Sequence, residues 1–298
     1  MNTNAFLLIL ASVFLHAGWN FISRASRPSV AFFWFVEAFG GLFLLPVLFF
    51  IDIRWSELPK EFWWCFAVSA VFESMYSVGL SKTYKKTDIS IGYPLMRALP
   101  VLFVAIITTV FHIGKLLSWP AKIGMAVVTC GCFILPQKSF RDLNWRAFVK
   151  SIFGPILLAA VGTTVYTVTD SMSLGYLKNY TLSNSFAVSC MYFLMVKCGI
   201  CTCLGVYVAA VREEREDLLK KCWRNLNPYL VGIFTGAAYL LVLWAMTMVE
   251  NVSYLQAFRQ LSLPLGVAMG IVFLHEKFTL PKVVGVLMIV AGLIMTVI

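Results

Sequence analysis

Residues 280–292 read LPKVVGVLMIVAG, and residues 119–131 read WPAKIGMAVVTCG. In both stretches a proline comes second, a glycine follows four residues later, and another glycine comes seven residues after that. The two copies are separated by a constant 161 residues. Each lies in a long apolar run. A match of this kind indicates that the chain contains two related halves.

Two charged positions extend the match. Asp88 recurs as Glu250 before the next predicted helix, and Arg97 recurs as Arg259 within it, at a separation of 162 residues. A slip of one residue in the fourth and ninth predicted helices accounts for the difference. We interpret the correspondence as an internal repeat with a first half at 1–136, a connecting loop at 137–150 and a second half at 151–298.

The composition identifies the medium in which these halves fold. Hydrophobic residues make up 60% of the chain and charged residues only 13%, whereas a soluble domain carries roughly 25% charged residues. The apolar runs are about twenty residues long, the length that crosses a hydrocarbon core of ~30 Å. They lack the alternation of a barrel strand. The sequence therefore predicts an all-α integral membrane protein, in which each helix satisfies its own backbone hydrogen bonds.

Ten transmembrane helices are predicted when the runs are divided at charged residues, glycine and proline. The first run has no basic region and no small-residue cleavage site, so we expect a retained helix rather than a signal peptide. Five crossings per half is an odd number, so the second half must enter the membrane upside down. Two inverted five-helix repeats are typical of alternating-access carriers. The predicted helices lie at about 4–23, 30–51, 61–81, 88–113, 118–136, 151–175, 183–211, 227–248, 252–274 and 279–297.

The net charge of +10 comes from basic residues in the short breaks between apolar runs. About 16 Lys and Arg residues lie in odd-numbered breaks and about 5 in even-numbered ones, which places the odd-numbered breaks in the cytoplasm. Both termini are then expected outside, in a bacterial inner membrane. The chain has no phosphate loop and no nucleic-acid recognition motif, so we expect neither an ATPase module nor a nucleic-acid partner.

The sequence offers no constellation for metal or covalent chemistry. Seven of the eight cysteines sit in apolar runs, where a thiol behaves as a small hydrophobe. Cys198, Cys201 and Cys203 have metal-like spacing, but no His or carboxylate lies beside them. The three histidines are scattered and form no Ser/His/Asp pattern. We expect no metal, no cofactor and no catalytic residue.

The stretch HEKFTLPKVVG at 275–285, followed by Gly292, resembles the end of a repeat in the drug/metabolite transporter superfamily, in its ten-helix EamA-type branch. A Gly-Glu pair usually opens that motif, and His275-Glu276 and Gly114-Lys115 stand there in this chain. The stretch HAGWN at 16–20 resembles the family's first helix, and Tyr166 lies where the sixth helix would repeat its tryptophan. The resemblance covers nearly the whole chain. It implies ten helices around a central cavity that is lined by the first four helices of each half.

Charges inside the predicted helices are candidate site residues, because each costs about 2.5–3.5 kcal/mol at the bilayer centre on insertion scales. Arg97 and Arg259 each lie nine residues beyond an acidic helix start, about 14 Å into the membrane. A guanidinium stays ionised and can bind a carboxylate or phosphate bidentately. The two arginines are therefore predicted to bind an anionic group of the substrate. The alternative is that each pairs with Glu37 or Glu73 to hold the bundle together.

Four further charged residues inside the predicted helices each allow more than one role. Glu37 and Glu73 are candidates for proton coupling or for ion pairs, because the protonation of a buried carboxyl beside an arginine depends on what occupies the site. Lys197 is expected to face either the cavity or another helix. Asp170, near the end of its predicted helix, is expected at a cavity mouth or an interface.

Polar groups on apolar side chains are the usual lining of a small-molecule site, and about half of those in this chain are expected to line the cavity. The rest should pack or lie in interfacial belts. Pro94, Pro100 and Pro264 are expected to permit bends. The pairs Gly232 with Gly236 and Gly266 with Gly270 are expected to let helices approach closely. The candidate lining residues are Trp19, Asn20, Tyr76, Tyr93, Tyr166, Tyr239, Trp244 and Gln256.

The sequence as a whole predicts a secondary transporter of a small polar metabolite with an anionic group. An amino acid, a related zwitterion or an organic anion fits, moved by alternating access. The alternatives are a lipid-linked sugar flippase, a membrane-embedded enzyme and a non-transporting scaffold. The expected partners are the lipid bilayer and a small-molecule substrate. Proton coupling and the choice between monomer and homodimer stay open.

Overall fold

The structure is a computed structural model that describes residues 3–23, 28–42, 44–49, 53, 55–86, 89–137, 139–140, 145–181, 183–275, 277 and 279–298. These residues form α-helices joined by short loops and 3₁₀ turns. In chain order the helices are α1 (Thr3–Ser23), α2 (Val30–Leu42), α3 (Lys60–Lys86), α4 (Ile89–Val110), α5 (Trp119–Ile134), α6 (Trp145–Asn179), α7 (Ser185–Ala210), α8 (Arg212–Lys220), α9 (Asn227–Met246), α10 (Val252–Phe258), α11 (Ser262–Leu274) and α12 (Leu280–Met295).

The described residues are all-helical and have the surface of an integral membrane protein. Four segments are long and apolar enough to cross a membrane, namely α1, α7, α9 and the span Val252–Phe273 that joins α10 to α11. Shorter apolar helices are α2, most of α4, α5 and α12. Large apolar side chains such as Phe14 and Trp64 are exposed, at 58% and 72% of their surface. Hydrocarbon accommodates such a surface, whereas water disfavours a large exposed apolar patch.

The observed bounds differ from the predicted ones at several places. The second predicted helix, 30–51, stops at Leu42 and continues as a 3₁₀ turn over Leu45–Phe49, where Pro46 has no backbone N–H to donate. The sixth helix is longer than predicted at both ends. The seventh break contains α8, which the hydrophobic pattern could not reveal because its sequence REEREDLLK is almost entirely polar.

The ninth predicted helix is interrupted by a 3₁₀ turn at Arg259–Leu261. Pro264 lacks the N–H that would bond the carbonyl of Gln260 in a regular α-helix. The preceding carbonyl, that of Arg259, accepts from Oγ of Ser262, at 2.9 Å, and from Nη2 of Arg97, at 2.8 Å. The interruption therefore exposes a backbone acceptor inside the apolar bundle, where protein groups must satisfy it.

The helices of the two halves pack in reciprocal pairs. α3 packs against α6, and α9 packs against α1; α2 packs against α9, and α7 packs against α3. α4 contacts α6, and α11 contacts α1. When each helix is replaced by the corresponding helix of the other half, the two contacts of each pair are converted into one another. The contacts α2 with α7, α4 with α10 and α5 with α12 map onto themselves.

The glycines of the quoted stretches form the contact between α5 and α12. A Cβ at Gly124 would lie 2.5 Å from the carbonyl oxygen of Gly292, and a Cβ at Gly292 would lie 2.6 Å from that of Gly124. Gly131 and Gly285 face each other in the same way, at 2.8 and 2.9 Å. Real Cβ atoms essentially never come this close. The two helices therefore touch backbone to backbone.

Other glycines test the prediction of close helix packing. A Cβ at Gly40 of α2 would lie 2.8 Å from the carbonyl oxygen of Gly232, and one at Gly236 would lie 3.1 Å from that of Gly40. Close packing of Gly232 and Gly236 is confirmed. The same prediction is wrong for Gly266, because a Cβ there would meet nothing within 4 Å.

Contacts between loops define the two ends of the bundle. At one end α8 meets the start of α2 and the end of α3. Glu214 Oε2 accepts from the backbone N–H of Ala31 at 2.9 Å, and Oε1 pairs with Lys85 in the last turn of α3 at 3.2 Å. At the other end Lys115, after α4, pairs with Glu250 after α9 at 3.1 Å. α4 has 22 residues and is therefore about 33 Å long, which separates the two groups of loops.

The loops after α4 and α11 share a left-handed residue. Gly114 has φ +75°, and His275, 161 residues later, ends α11 with φ +51°. Glycine adopts this region freely, whereas a residue with a Cβ is strained there. The position therefore explains the glycine that the family motif usually has.

Candidate functional site

Arg97 joins three elements through its guanidinium. It is 3% exposed, and its Nε donates to Oε1 of Gln260 at 3.2 Å. Its Nη2 donates to the carbonyl of Arg259 at 2.8 Å, and its Nη1 lies 2.8 Å from Nε2 of His16. We call His16, Trp19, Arg97, Arg259 and Gln260 the arginine cluster. It brings α1 and α4 of the first half to the 3₁₀ turn of the second.

α1 contributes a compact polar unit to this cluster. Trp19 Nε1 donates to Nδ1 of His16 at 3.0 Å, and Asn20 Nδ2 donates to the carbonyl of His16 at 2.7 Å. Both ring nitrogens of His16 thus face N–H donors, one from Trp19 and one from Arg97. A neutral imidazole can accept at only one of them. In each of these two contacts a ring nitrogen of His16 therefore meets an N–H donor rather than an acceptor.

A second cluster contains the buried acids. Glu37 of α2, Glu73 of α3, Asp170 of α6 and Lys197 of α7 form the carboxylate cluster. The carboxylate of Glu37 pairs with the ammonium of Lys197, and their side chains are only 10% and 5% exposed. The alternative prediction that Glu37 pairs with an arginine is therefore wrong. Lys197 faces a neighbouring helix and a carboxylate inside the bundle.

Asp170 accepts three hydroxyl hydrogen bonds. Tyr239 donates to Oδ2 at 2.6 Å, Tyr192 donates to Oδ1 at 2.8 Å, and Ser69 also donates to Oδ1. Asp170 is 0% exposed, so the prediction that it lies at a cavity mouth or interface is wrong. The physical reason is that α6 runs on to Asn179, which leaves Asp170 more than two turns inside the helix.

Glu73 has an unsatisfied oxygen. The residue is 7% exposed, and its Oε2 has no hydrogen-bond partner among the described residues. It lies within electrostatic range of Lys197, Glu37 and Asp170. A buried carboxylate oxygen without a donor is unfavourable. Glu73 is therefore the member of the carboxylate cluster with capacity for a further polar group.

Tyr166 lies between the two clusters. It is 4% exposed, and its ring centroid is 6.0 Å from that of Tyr76 and 6.5 Å from that of Tyr239, both edge to face. Its phenol interacts electrostatically with both arginines and with two of the acids. One molecule next to Tyr166 could therefore contact opposite charges at its two ends.

The remaining candidates fall into three groups. Gln256 is fully buried with neither amide atom partnered among the described residues, and Oδ1 of Asn20 is likewise unpartnered there. Trp244 packs on Phe186 at a centroid distance of 4.8 Å, a contact that belongs to neither cluster. The side chain of Tyr93 and the whole of Asp88 lie outside the described residues.

Sequence reasoning missed several members of these clusters. His16 and Gln260 were detectable in principle, since one lies a helical turn before Trp19 and the other follows Arg259 directly. Ser69 lies one turn before Glu73, on the same face of α3. Nothing in the sequence singles out Tyr192, because its partner Asp170 is on a different helix.

Two other features lie away from these clusters. A surface groove of about 310 Å³ runs beside α8 and is lined by charged residues including Lys85, Glu213 and Lys221. It is separate from both buried clusters. Within the described residues, no group of three or more His, Cys, Asp and Glu side chains is arranged to hold a metal ion.

Comparisons with known proteins identify the family. The model of the EamA-like transporter family matches residues 3–136 and 153–298. A solved crystal structure of a protein aligns with 99% of this chain and 96% of its own chain, with a TM-score of 0.68 and 16% sequence identity. At that identity the likeness shows the fold alone. No curated protein matches the chain. Because the family model covers both halves, the chain belongs to the EamA-like transporter family, a family of membrane transporters of small molecules.

Proposed function

We propose that this protein is a secondary transporter for a small metabolite that carries an anionic group, moved by alternating access. The main supporting observation is that Arg97 and Arg259, at corresponding positions of the two halves, are both buried, and that Nη2 of Arg97 donates to the backbone carbonyl of Arg259. A guanidinium stays ionised even at membrane depth. Two of them together favour a carboxylate or phosphate as the transported group.

The proposed architecture is ten crossings in two inverted repeats around a central cavity, with halves at 1–136 and 151–298 joined by 137–150. The reciprocal helix contacts and the facing glycines of α5 and α12 support it. The start of α2, the last turn of α3 and α8 meet at one end. This also supports the architecture, since these segments lie in or beside the first, third and seventh breaks. In this proposal that end is cytoplasmic, and both termini lie outside a bacterial inner membrane.

An amino acid or similar zwitterion fits better than a simple anion. The arginine cluster supplies positive charge and the carboxylate cluster supplies negative charge, with Tyr166 between them. Asn20, Gln256 and Glu73 have buried polar atoms with no hydrogen-bond partner among the described residues, which supports a polar cavity at the depth of the two clusters. Glu37 has its own ion-pair partner, whereas Glu73 keeps a buried oxygen without a donor among the described residues.

A thermal-shift screen tests this proposal. Purified protein in detergent is heated with amino acids, organic acids and phosphorylated metabolites, because a ligand present at 100 times its Kd stabilises the folded state by about 2.7 kcal/mol. We expect an anionic or zwitterionic compound to raise the melting temperature of the wild type but not that of Arg259→Gln. Arg212→Gln is the matched control, since that side chain is 85% exposed. A shift that persists in Arg259→Gln, or a response only to uncharged compounds, contradicts the proposal.

A further inference from the structure

We propose that Glu73, with the rings of Tyr76, Tyr166 and Tyr239, forms a subsite for an organic ammonium group. This inference rests on the proposed function and assigns one end of the substrate to one set of residues. The transported molecule would be an amino compound whose ammonium contacts Glu73 and whose anionic group contacts the arginine cluster.

The geometry places an aromatic wall beside the carboxylate. Glu73 and Tyr76 are three residues apart on α3 and so share a helix face. Tyr76, Tyr166 and Tyr239 follow one another edge to face at 6.0 and 6.5 Å. The hydroxyl of Tyr239 donates to Asp170 at 2.6 Å, which fixes the orientation of its ring. The wall is thus built from three helices.

Glu73 is the acid of this cluster with an open acceptor, although Lys197 lies within electrostatic range of it. Glu37 pairs with Lys197, and Asp170 accepts from three hydroxyl groups. Glu73 has one buried oxygen with no donor in the described part of the chain. The carboxylate cluster therefore holds three acids and one ammonium, and a second ammonium would satisfy both the charge and the open acceptor.

The aromatic residues here already accept a cation. The ammonium of Lys197 lies 4.9 Å from the ring centroid of Tyr239 and 5.1 Å from that of Phe193. Aromatic faces attract ammonium groups, and the attraction is stronger where water is excluded. A ligand ammonium would find the same kind of surface on Tyr166 and Tyr76, next to a carboxylate.

Tyr166 links this subsite to the arginine cluster. Its electrostatic neighbours include Glu73 and both arginines. A molecule that carries both an amino and an acidic group could therefore contact both clusters from a position beside Tyr166. A diamine or a neutral amide would satisfy at most one of the two clusters.

The test uses two series of three compounds that share a skeleton but differ in charge. The first is phenylalanine, 3-phenylpropanoate and 2-phenylethylamine; the second is leucine, 4-methylpentanoate and 3-methylbutylamine. Binding to the full-length protein in detergent is measured by titration calorimetry. In the wild type we expect each amino acid to bind more tightly than either of its singly charged analogues.

Glu73→Gln should weaken binding of the amino acid and of the amine by about tenfold or more, as expected for a lost charge-assisted hydrogen bond, and leave the carboxylate analogue unchanged. Glu73→Asp keeps the charge but shortens the side chain, and an intermediate loss is expected. If one of these two variants does not fold, the binding affinities of the other still test whether Glu73 contacts the ammonium. Glu250→Gln is the control, since that side chain is 72% exposed.

The inference is overturned if the amines bind Glu73→Gln or Glu73→Asp as tightly as the wild type, which would mean that Glu73 carries a proton rather than the ligand. It is also overturned if no amine-bearing compound binds the wild type. Its failure is distinct from failure of the proposed function. Amine binding that depends on Glu73, without any binding of carboxylates, supports the subsite and contradicts an anionic substrate.

Discussion

Gly124 of α5 lies so close to Gly292 of α12 that a Cβ on either residue would overlap the carbonyl oxygen of the other. The two glycines occupy different places in the repeated stretch, the first glycine of one copy and the second of the other. Gly131 and Gly285 make the complementary contact. Such exchange of partners is what two copies related by a two-fold axis would produce.

Substitution of these glycines should destabilise the protein. Gly124→Ala places a methyl group against backbone rather than a flexible side chain, so one helix must move, and overpacking of this kind costs about 1–3 kcal/mol. We expect a lower melting temperature in detergent. Gly285→Ala should have a similar effect, because its Cβ would lie 2.8 Å from the Cα of Leu135.

Gly175→Ala is the matched control for these variants. Gly175 also lies in a helix, but a Cβ there would meet nothing within 4 Å. Alanine is favoured over glycine in a helix interior by roughly 0.5–1 kcal/mol, so this variant should be as stable as the wild type or more so. Equal melting temperatures for Gly124→Ala and the wild type would refute backbone contact between α5 and α12.

The repeat was predictable from the sequence because these contacts tolerate only glycine. The correspondence of Arg97 with Arg259 was predictable for another reason, since charged residues stand out in apolar runs. The partner of Lys197 was not predictable. Its helix is apolar on all sides, so no periodicity shows which face is buried, and Glu37 lies 160 residues away.

The position of Asp170 was mispredicted for a different reason. Its helix was expected to end near residue 175, and four additional helical residues moved it away from the end. Neutral side chains such as His16 and Gln260 become meaningful only once α1 and the interrupted ninth segment are seen to meet at Arg97.

The buried pair of Glu37 and Lys197 should behave as a unit. Removal of one member of a buried ion pair costs about 3–5 kcal/mol, because the other charge is left uncompensated. We expect Glu37→Gln and Lys197→Gln each to be strongly destabilised. The charge-reversed double variant, Glu37→Lys with Lys197→Glu, should recover a large part of the loss.

Thermal unfolding of the wild type, Glu37→Gln, Lys197→Gln and the double variant that carries both of these substitutions gives the coupling energy as a double-mutant cycle. Additive effects of the single substitutions, with no recovery in the charge-reversed variant, would show that the two side chains do not interact. The exposed pair of Arg212 and Glu216 on α8 is the control, for which the same cycle should give about 0.3–0.5 kcal/mol.

Arg97→Ala should affect stability as well as transport. In the structure Arg97 satisfies Oε1 of Gln260 and the carbonyl of Arg259, and a buried acceptor left without a donor costs about 1–3 kcal/mol. We expect a lower melting temperature in addition to lost ligand binding. An unchanged melting temperature would show that these hydrogen bonds do not hold α4 to the 3₁₀ turn at Arg259–Leu261.

The contact of α8 with α2 should weaken in acid. Burial raises the pKa of Asp217, but hydrogen bonds from Lys221 and Ser29 lower it by more, so the net pKa lies below its ordinary value. The stabilising contribution of Asp217 is then fully present above the pKa of the unfolded chain, about 3.9. It is lost as the pH falls through the lower pKa of the folded state.

Melting curves of the wild type and Asp217→Asn between pH 6 and pH 2.5 test this relation. The difference should be below about 1 kcal/mol at pH 6, because Lys221 is largely exposed, and should shrink as the pH falls below about 4. Lys221→Gln removes the same ion pair from the other side and should reproduce the effect. A difference that stays constant with pH would exclude ionised Asp217 as its source.

The most direct test of the central claim is uptake into proteoliposomes by wild type, Arg259→Gln and Arg212→Gln. Radiolabelled phenylalanine, leucine, succinate and glucose 6-phosphate serve as substrates, with glucose as the uncharged comparison. We predict saturable uptake of at least one charged compound above that of empty liposomes. Arg259→Gln should reduce it by about tenfold or more, the expected loss of a charge-assisted contact, and Arg212→Gln should leave it unchanged. Uptake that survives in Arg259→Gln, or uptake of glucose alone, would contradict an anion site at the meeting point of the two halves.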